Sequence, residues 1–507
     1  MKKIITALAA ITTLISSGCS SDFLTVTSTT SITADEYYTT EARIYSALVA
    51  AYDPLQWFDY FYAYNPLNII SDIMGDDIYP GGSNATDNEH WHLMHNFKAT
   101  SNNVCSTVWT ICYSGINRAN LVVDNMSTVT DIDDETSARY VAEAYVLRAY
   151  YYTWLWKLWG NIPHYVHNPE EAPYLVDQLT ADAVYELIIE DLDFALNGGA
   201  LLTDVSSSQK GRVCKSMAQM LKAEVVMYQN DSSRYEDIYL DMQSIINSYF
   251  YSLNGDFAEI WEDEGEWCAE SIWEINYSDT NAQRSWTYAN GTGGTVLPAL
   301  IGVNAMSGSL DYNSGWGFGT VNADLYALYN AADTRRDGGI LAISDYMVAN
   351  PDVTYTPRYQ DTGYFIKKYL PRAGGNSNMT YDVDLNYRNN LRIYRFAETL
   401  LNAAELSVRL GKGAEQGYLN TVRARAFGCE TTELQSKGYY VEATLDNIIA
   451  ERRLELYGEG KRYWDLVRTG LATTVLSSRG YTDSKKYLPI PSSEIDSAEG
   501  TLTQNNY

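Results

Sequence analysis

The 507-residue chain is short of cationic side chains: 36 Lys and Arg stand against 64 Asp and Glu, a formal net charge of −28. A surface that acidic, with a sequence pI near 4.5, repels phosphate backbones and disfavours a nucleic-acid partner. Histidine numbers five and cysteine six. The five cysteines after Cys19 show no metal-ligand spacing. Cys105 and Cys112 would lie about 10 Å apart on one helix, too far for a disulfide, so buried free thiols are expected. No segment beyond the N-terminus reaches the roughly 20 apolar residues a membrane span needs; the most apolar, Ala149 to Trp156, is bounded by Arg148 and Lys157. Gly-x-Ser-x-Gly, phosphate-loop and dinucleotide fingerprints are also missing. What the chain has in quantity is aromatic surface, with 43 Tyr and 12 Trp. Tyrosine suits a surface that must offer an apolar face and a polar tip together.

The first residues read as an export signal. Lys2 and Lys3 precede a short apolar core from Ile4 to Ile15, and Ser16-Ser17-Gly18-Cys19 resembles the lipobox of bacterial lipoproteins, with Ser16 where Leu is usual. Residues 1–18 are expected to be removed and Cys19 acylated, which would anchor the chain by burying methylenes at about 0.8 kcal/mol each. Ordinary secretion is the alternative. Ser20-Ser21-Asp22 looks like the small-acidic tag that sends some lipoproteins to the outer face of the outer membrane. Residues 19–34 would be a Ser/Thr-rich tether.

Length allows two to four domains or one large helical body. Helical signals run from Asp35 to Tyr52, and an irregular polar stretch follows from Asp72 to Asn103. Helical signals return over Asn103 to Met126 and Arg139 to Trp159. In the latter, Val141, Tyr145, Arg148, Tyr152, Leu155 and Trp159 fall on one face. Further helices are expected near Thr180 to Asn197, Gly211 to Gln229 and Tyr235 to Tyr249. Paired helices at a period in the thirties suggest tetratricopeptide-like units. From 255 to 390 the periodicity gives way to Gly, Ser, Asn, Pro and Trp, which predicts loops and short strands. Helix pairs resume at Arg392. The expected organisation is thus 35–254 helical, and 255–507 as a loop-rich block (255–390) followed by helices (391–507).

One stretch is dense in opposed charge: Glu451, Arg452, Arg453, Glu455, Glu459, Arg462, Asp465 and Arg468 lie within eighteen residues. Arg452, Arg453 and Arg462 are expected to neutralise Glu451 and Glu455 in a packed network at a helix junction. The competing reading is a catalytic acid with an electrophilic Arg. All of these but Arg453, with Leu456, Gly460 and Leu466, resemble the signature of the SusD/RagB family of outer-membrane nutrient-binding lipoproteins. Ala142 to Tyr152 with Gly160 and Pro163, Arg392 to Glu405, Asn420 to Ala426, and Leu488 to Ile495 followed by Gln504 to Tyr507 are similar to its other segments. The resemblance implies a mainly helical fold with about four tetratricopeptide-like helix pairs and a looped half that shapes a glycan site. It also implies a SusC-type TonB-dependent outer-membrane barrel as partner, an oligosaccharide or polysaccharide ligand, membrane attachment through the lipid alone and no catalysis.

Glycans are held by aromatic rings beside Asp, Asn, Arg or Gln hydrogen-bonding forks. Two candidate platforms follow: Asp76, Asp77, Asn88, Trp91 and His92 in the first irregular stretch, and Arg284, Trp286 and Tyr288 ahead of a Gly-rich run. Trp91 could instead plug its loop onto the helices. Trp316, in Gly315-Trp316-Gly317, is a third candidate, though packing suits it equally. His90, His92 and His95 would bind a metal only on a helix, which the nearby turn residues argue against, and no metal or cofactor is expected. Asp382, Asp384 and Asn386 begin like a calcium loop, but Tyr387 and Ile393 occupy the positions that need Gly and Glu; adventitious calcium in the acidic loops stays open. Glu262, Asp263, Glu264 and Glu266 form a run of adjacent acids, whereas hydrolytic carboxylates face each other from separate elements. A purely protein-binding tetratricopeptide lid for peptide or glycopeptide is the alternative function.

Overall fold

The computed structural model describes residues 37–203, 205–378 and 382–507; the signal, Cys19 and the tether lie outside them. The helical scaffold is four successive pairs. Helix α1 (Glu41–Tyr52) packs on α4 (Ser106–Asn125), α5 (Asp134–Trp159) on α6 (Ala181–Asn197), α7 (Lys215–Gln229) on α8 (Tyr235–Asn247), and α9 (Phe396–Leu410) on α10 (Glu415–Ala426). Between the first pair lie α2 (Leu67–Met74) and α3 (Glu89–His95), and α11 (Leu445–Leu456) and α12 (Arg462–Arg468) close the scaffold. The mainly helical fold with about four pairs is what the resemblance implies.

Helix α5 is the axis of the molecule. Asp133 caps it by accepting the Thr136 amide at 2.8 Å, and Gly160, at φ 69°, ends it. The expected single apolar face is too modest: every residue from Val146 to Trp159 is buried. The helix lies between its neighbours α4 and α6, while Tyr150 meets Trp273, Trp154 meets Trp464 and Trp156 meets Tyr228 on its other sides. A helix buried all round is a core helix, and its two cations are paired inside, Arg148 with Asp191 and Lys157 with Glu224.

The loop-rich block is not separate from this body. Strand β1 (Ile78–Gly81), from the first irregular stretch, pairs antiparallel with β3 (Phe318–Val321), which continues through β5 (Tyr364–Ile366) to β4 (Ile340–Ala342). A second sheet joins β2 (Ser271–Ile275) to β6 (Leu391–Arg395), the strand that leads directly into α9. One core cluster runs through both halves, and a smaller one sits under Val303, Leu341 and Phe365.

The charged stretch is a buried seam, wired differently from expectation. Glu455 is fully buried and accepts from Arg425 at 2.6 Å, Arg395 at 3.1 Å and Arg335 at 3.0 Å. Glu451 binds Arg335 at 2.8 Å and Arg423. Glu459 takes Arg395 and Lys368. None of the three arginines expected to neutralise Glu451 and Glu455 does so. Arg452 binds Asp465 at 3.0 Å, whereas Arg453 and Arg462 reach across to Asp76 and Asp77. Burial alone would raise the Glu455 carboxyl, but Arg425, Arg395 and Arg335 outweigh it and hold it far below the usual range. A carboxylate so enclosed cannot meet a substrate.

Candidate functional site

The first candidate platform dissolves in the structure. Asp77 is buried, with its Oδ1 accepting from Arg453 Nη2 at 2.5 Å, and Asp76 accepts from Arg462 Nε at 2.7 Å. Both acids therefore tie the segment after α2 to the seam. Trp91 has no exposed surface; its ring packs on Phe318 and its indole N–H donates to Tyr64 O at 2.8 Å. It is the plug. Asn88, at φ 52°, opens a helix in place of the expected loop, and the ring of His92 is buried against Tyr359. The histidines of this helix do not converge. His90 Nε2 lies 3.0 Å from Asn65 Oδ1, and His95 Nδ1 lies 2.7 Å from Ile73 O beside the Arg479 guanidinium. Burial and that cation push His95 down to about 3. Among the described residues no three His, Cys, Asp or Glu side chains gather as a metal site. Of the acidic run, Glu262 is paired with Arg372 and Asp263 with Arg388, each at 2.6 Å.

The second and third candidates come together. Residues 283–292 form a narrow hairpin, with Gln283 N bonded to Thr292 O and Ser285 and Tyr288 exchanging backbone bonds around the tip. Trp286 stands at that tip and Tyr288 is half exposed beside it. Opposite, Gly315-Trp316-Gly317 makes a turn whose first glycine touches Gly302 so closely that an added Cβ would lie 2.3 Å from that residue's Cα, while Gly317 sits at φ 71°. The tight turn aims Trp316 at Trp286, with ring centroids 6.2 Å apart and planes 29° from parallel. Packing and presentation are one arrangement here.

Sequence reasoning missed the third side of the platform. The run Trp57-Phe58-Asp59-Tyr60-Phe61-Tyr62-Ala63-Tyr64 follows α1. Tyr64 meets Trp316 edge-on at 5.7 Å, Tyr60 meets Trp286 at 5.2 Å, and Tyr62, held at φ 60°, is 59% exposed. Six aromatics in eight residues directly after a helix was the available signal. Polar forks stand at the edge: Arg358 donates to Trp316 O at 2.6 Å and lies 3.9 Å from Asp87. Burial, together with Tyr60, Asp87 and Asp384, raises the Tyr64 phenol to about 12, so it stays a neutral donor.

Arg284, expected to touch ligand, is instead the pin beneath the rings. It is completely buried and donates to Asp59 Oδ1 at 2.6 Å, Ala289 O at 3.0 Å and Gly294 O at 2.9 Å, as well as to Tyr60 O. Asp59 Oδ2 accepts from Thr295 Oγ1 and Val296 N, both at 2.7 Å. One ion pair thereby locks the tyrosine run to the tryptophan hairpin. Asn386 reinforces it, donating to Arg284 O and accepting from Gly294 N. Asp59→Asn is expected to raise amide hydrogen exchange across 283–296 at least about tenfold, equivalent to about 1.4 kcal/mol of local stability, with α5 unaffected. Unchanged exchange in the hairpin would show that the pair does not hold it.

The fold agrees with the comparisons. The profile described as the SusD family matches residues 343–507, and one described as starch-binding, associating with the outer membrane, matches residues 22–227. The solved structure of surface glycan-binding protein A from Bacteroides thetaiotaomicron in complex with laminarihexaose is 45% identical, spans 92% of this chain and 100% of that one, and superposes with a TM-score of 0.86. A laminarin-binding SusD-like protein is 31% identical over 92% of this chain and 100% of its own, at a TM-score of 0.83. SusD-like protein P25 of Formosa agariphila is 26% identical over 434 residues, 79% of this chain and 80% of that protein. The chain belongs to the SusD family. No described helix is long and apolar enough to cross a membrane.

Proposed function

We propose that this protein binds a β-1,3-linked glucan at the Trp286–Trp316–Tyr64 platform and serves as a non-catalytic surface receptor for it. The observation that carries the reading is the pair of near-parallel indoles walled by tyrosines, with Arg358 and Asp87 at the edge. Sugar C–H faces stack on such rings, and the charged fork takes hydroxyls. The ligand class comes from the two relatives named for laminarihexaose and laminarin. Family membership supports the remainder: acylation at Cys19, an outward-facing position on the outer membrane, and delivery of bound glycan to a SusC-type TonB-dependent barrel. Calorimetry with laminarihexaose and retardation in laminarin gels test the ligand. Saturable binding is expected, with no reducing sugar released on prolonged incubation. If α-glucans or glycopeptides bind and laminarihexaose does not, the assignment is wrong.

A further inference from the structure

A second recess lies at the other end of the two segments that build the platform. It encloses about 330 Å³. Tyr45 and Val49, both partly exposed on the outer face of α1, form one wall, and Lys210 and Arg212 form the other. Gln56 and Thr292 also line it. Thr292 is the base of the hairpin whose tip carries Trp286, and Gln56 directly precedes the aromatic run of the platform. Gln56 Oε1 also receives the Gly293 amide at 3.4 Å. The recess and the platform therefore share one rigid frame.

Its chemistry suits a neutral, hydroxylated ring. The Arg212 guanidinium is spent on Glu143, bound through Nη2 at 2.5 Å and Nε at 3.1 Å, and Glu143 also accepts the Tyr52 hydroxyl at 2.6 Å. Asp53 is paired with Arg118 at 2.9 Å. Glu274, also in the lining, lies 3.7 Å from Arg392. Among the described residues Lys210 is then the one lining charge outside an ion pair, too little to select a polyanion. The recess retains an apolar wall with an aromatic ring, together with the Lys210 ammonium and the Thr292 hydroxyl, while the Gln56 amide is held by Gly293 and Asp53. Small-molecule clefts run from about 300 to 1,000 Å³, mostly apolar with a few placed polar groups. This one is at the lower end, with room for one or two sugar rings and not for a chain.

We infer that the recess is a second glycan subsite, taking a terminal or branch unit of the same glucan that lies on the platform. The inference rests on the glucan reading proposed above. A polymer touching both places would gain avidity without new contacts at either.

The test uses laminaritriose as probe and saturation-transfer NMR as readout. In the Trp286→Ala/Trp316→Ala double variant the platform is removed, and triose signal is expected to persist. Adding Val49→Trp, which places an indole in the recess from an exposed position, is expected to abolish that signal; Tyr45→Ala, which adds no bulk, should weaken it. In the otherwise native protein, Val49→Trp should lower laminarin affinity at least about fivefold. Should the double variant give no triose signal while the native protein binds laminarihexaose, the subsite is refuted and the platform stands. Triose signal that survives Val49→Trp also refutes it. Failure of the native protein to bind laminarihexaose at all overturns both readings.

Discussion

Trp286→Ala is expected to lower laminarihexaose affinity about thirtyfold, and the Trp286→Ala/Trp316→Ala pair to leave no binding that calorimetry registers, only the weak contact at the recess that saturation transfer reads. A central aromatic anchor typically contributes about 2 kcal/mol or more to a binding interface, which is a factor of about thirty. The two rings should not behave as independent sites. They stand 6.2 Å apart and share Tyr64 as a neighbour, so removing one leaves the other less supported. Stability should change little, because Trp286 is at the tip of a hairpin whose base is fixed separately by Arg284. Trp91→Ala is the informative contrast. That ring is sealed in the core, so its loss should lower the unfolding free energy by the about 3–5 kcal/mol typical of large-to-small core changes. Any affinity lost there would follow from lost structure. Calorimetry and urea unfolding on the three variants separate the cases. If Trp286→Ala binds as the native protein does, the platform is misplaced.

The fold was legible in the sequence because helix periodicity and the charged signature are local patterns. Gly160 ends α5 where the pattern implies, while the helix begins at Asp134, ahead of the expected Arg139, because Asp133 caps it. The site was half legible. Trp286 and Trp316 could be named from their glycine-rich surroundings, but their meeting depends on a turn packed against Gly302, a contact thirteen residues away in sequence. Trp91 and Arg284 misled because residue type alone cannot report burial. A Trp beside acids and a histidine looks like a platform until the acids prove to be committed to Arg453 and Arg462. The Tyr60 to Tyr64 run was passed over because it follows a helix and carries no glycine signal. Tyr62, its exposed member, has the left-handed backbone that no local pattern announces.

Glu455→Gln is expected to destabilise the protein by about 3–5 kcal/mol without altering glucan preference. The carboxylate is the shared acceptor of Arg335, Arg395 and Arg425, all buried, and a neutral amide leaves those cations without their counter-charge in a low-dielectric interior. The exposed pair Glu433–Lys437 is the control, and Lys437→Ala there should make no measurable difference. The pH dependence has a definite sign. Glu455 and Asp465 are held below their unfolded values, Asp465 at about 2, despite burial, by Arg425 and Arg395 in one case and Arg452 and Arg468 in the other. Their stabilisation is complete above the ordinary carboxylate range and is lost as pH falls through those depressed values. The native protein should thus lose stability steeply below about pH 4. In Glu455→Gln one of these titrations is gone, so the midpoint starts lower at neutral pH and falls less on acidification. A variant that matched the native midpoint at pH 7 would mean that the seam is held by packing and that its ion pairs are incidental. A variant that unfolds easily yet binds laminarihexaose normally when folded would place the charged signature in the scaffold and leave ligand choice to the rings at Trp286 and Trp316.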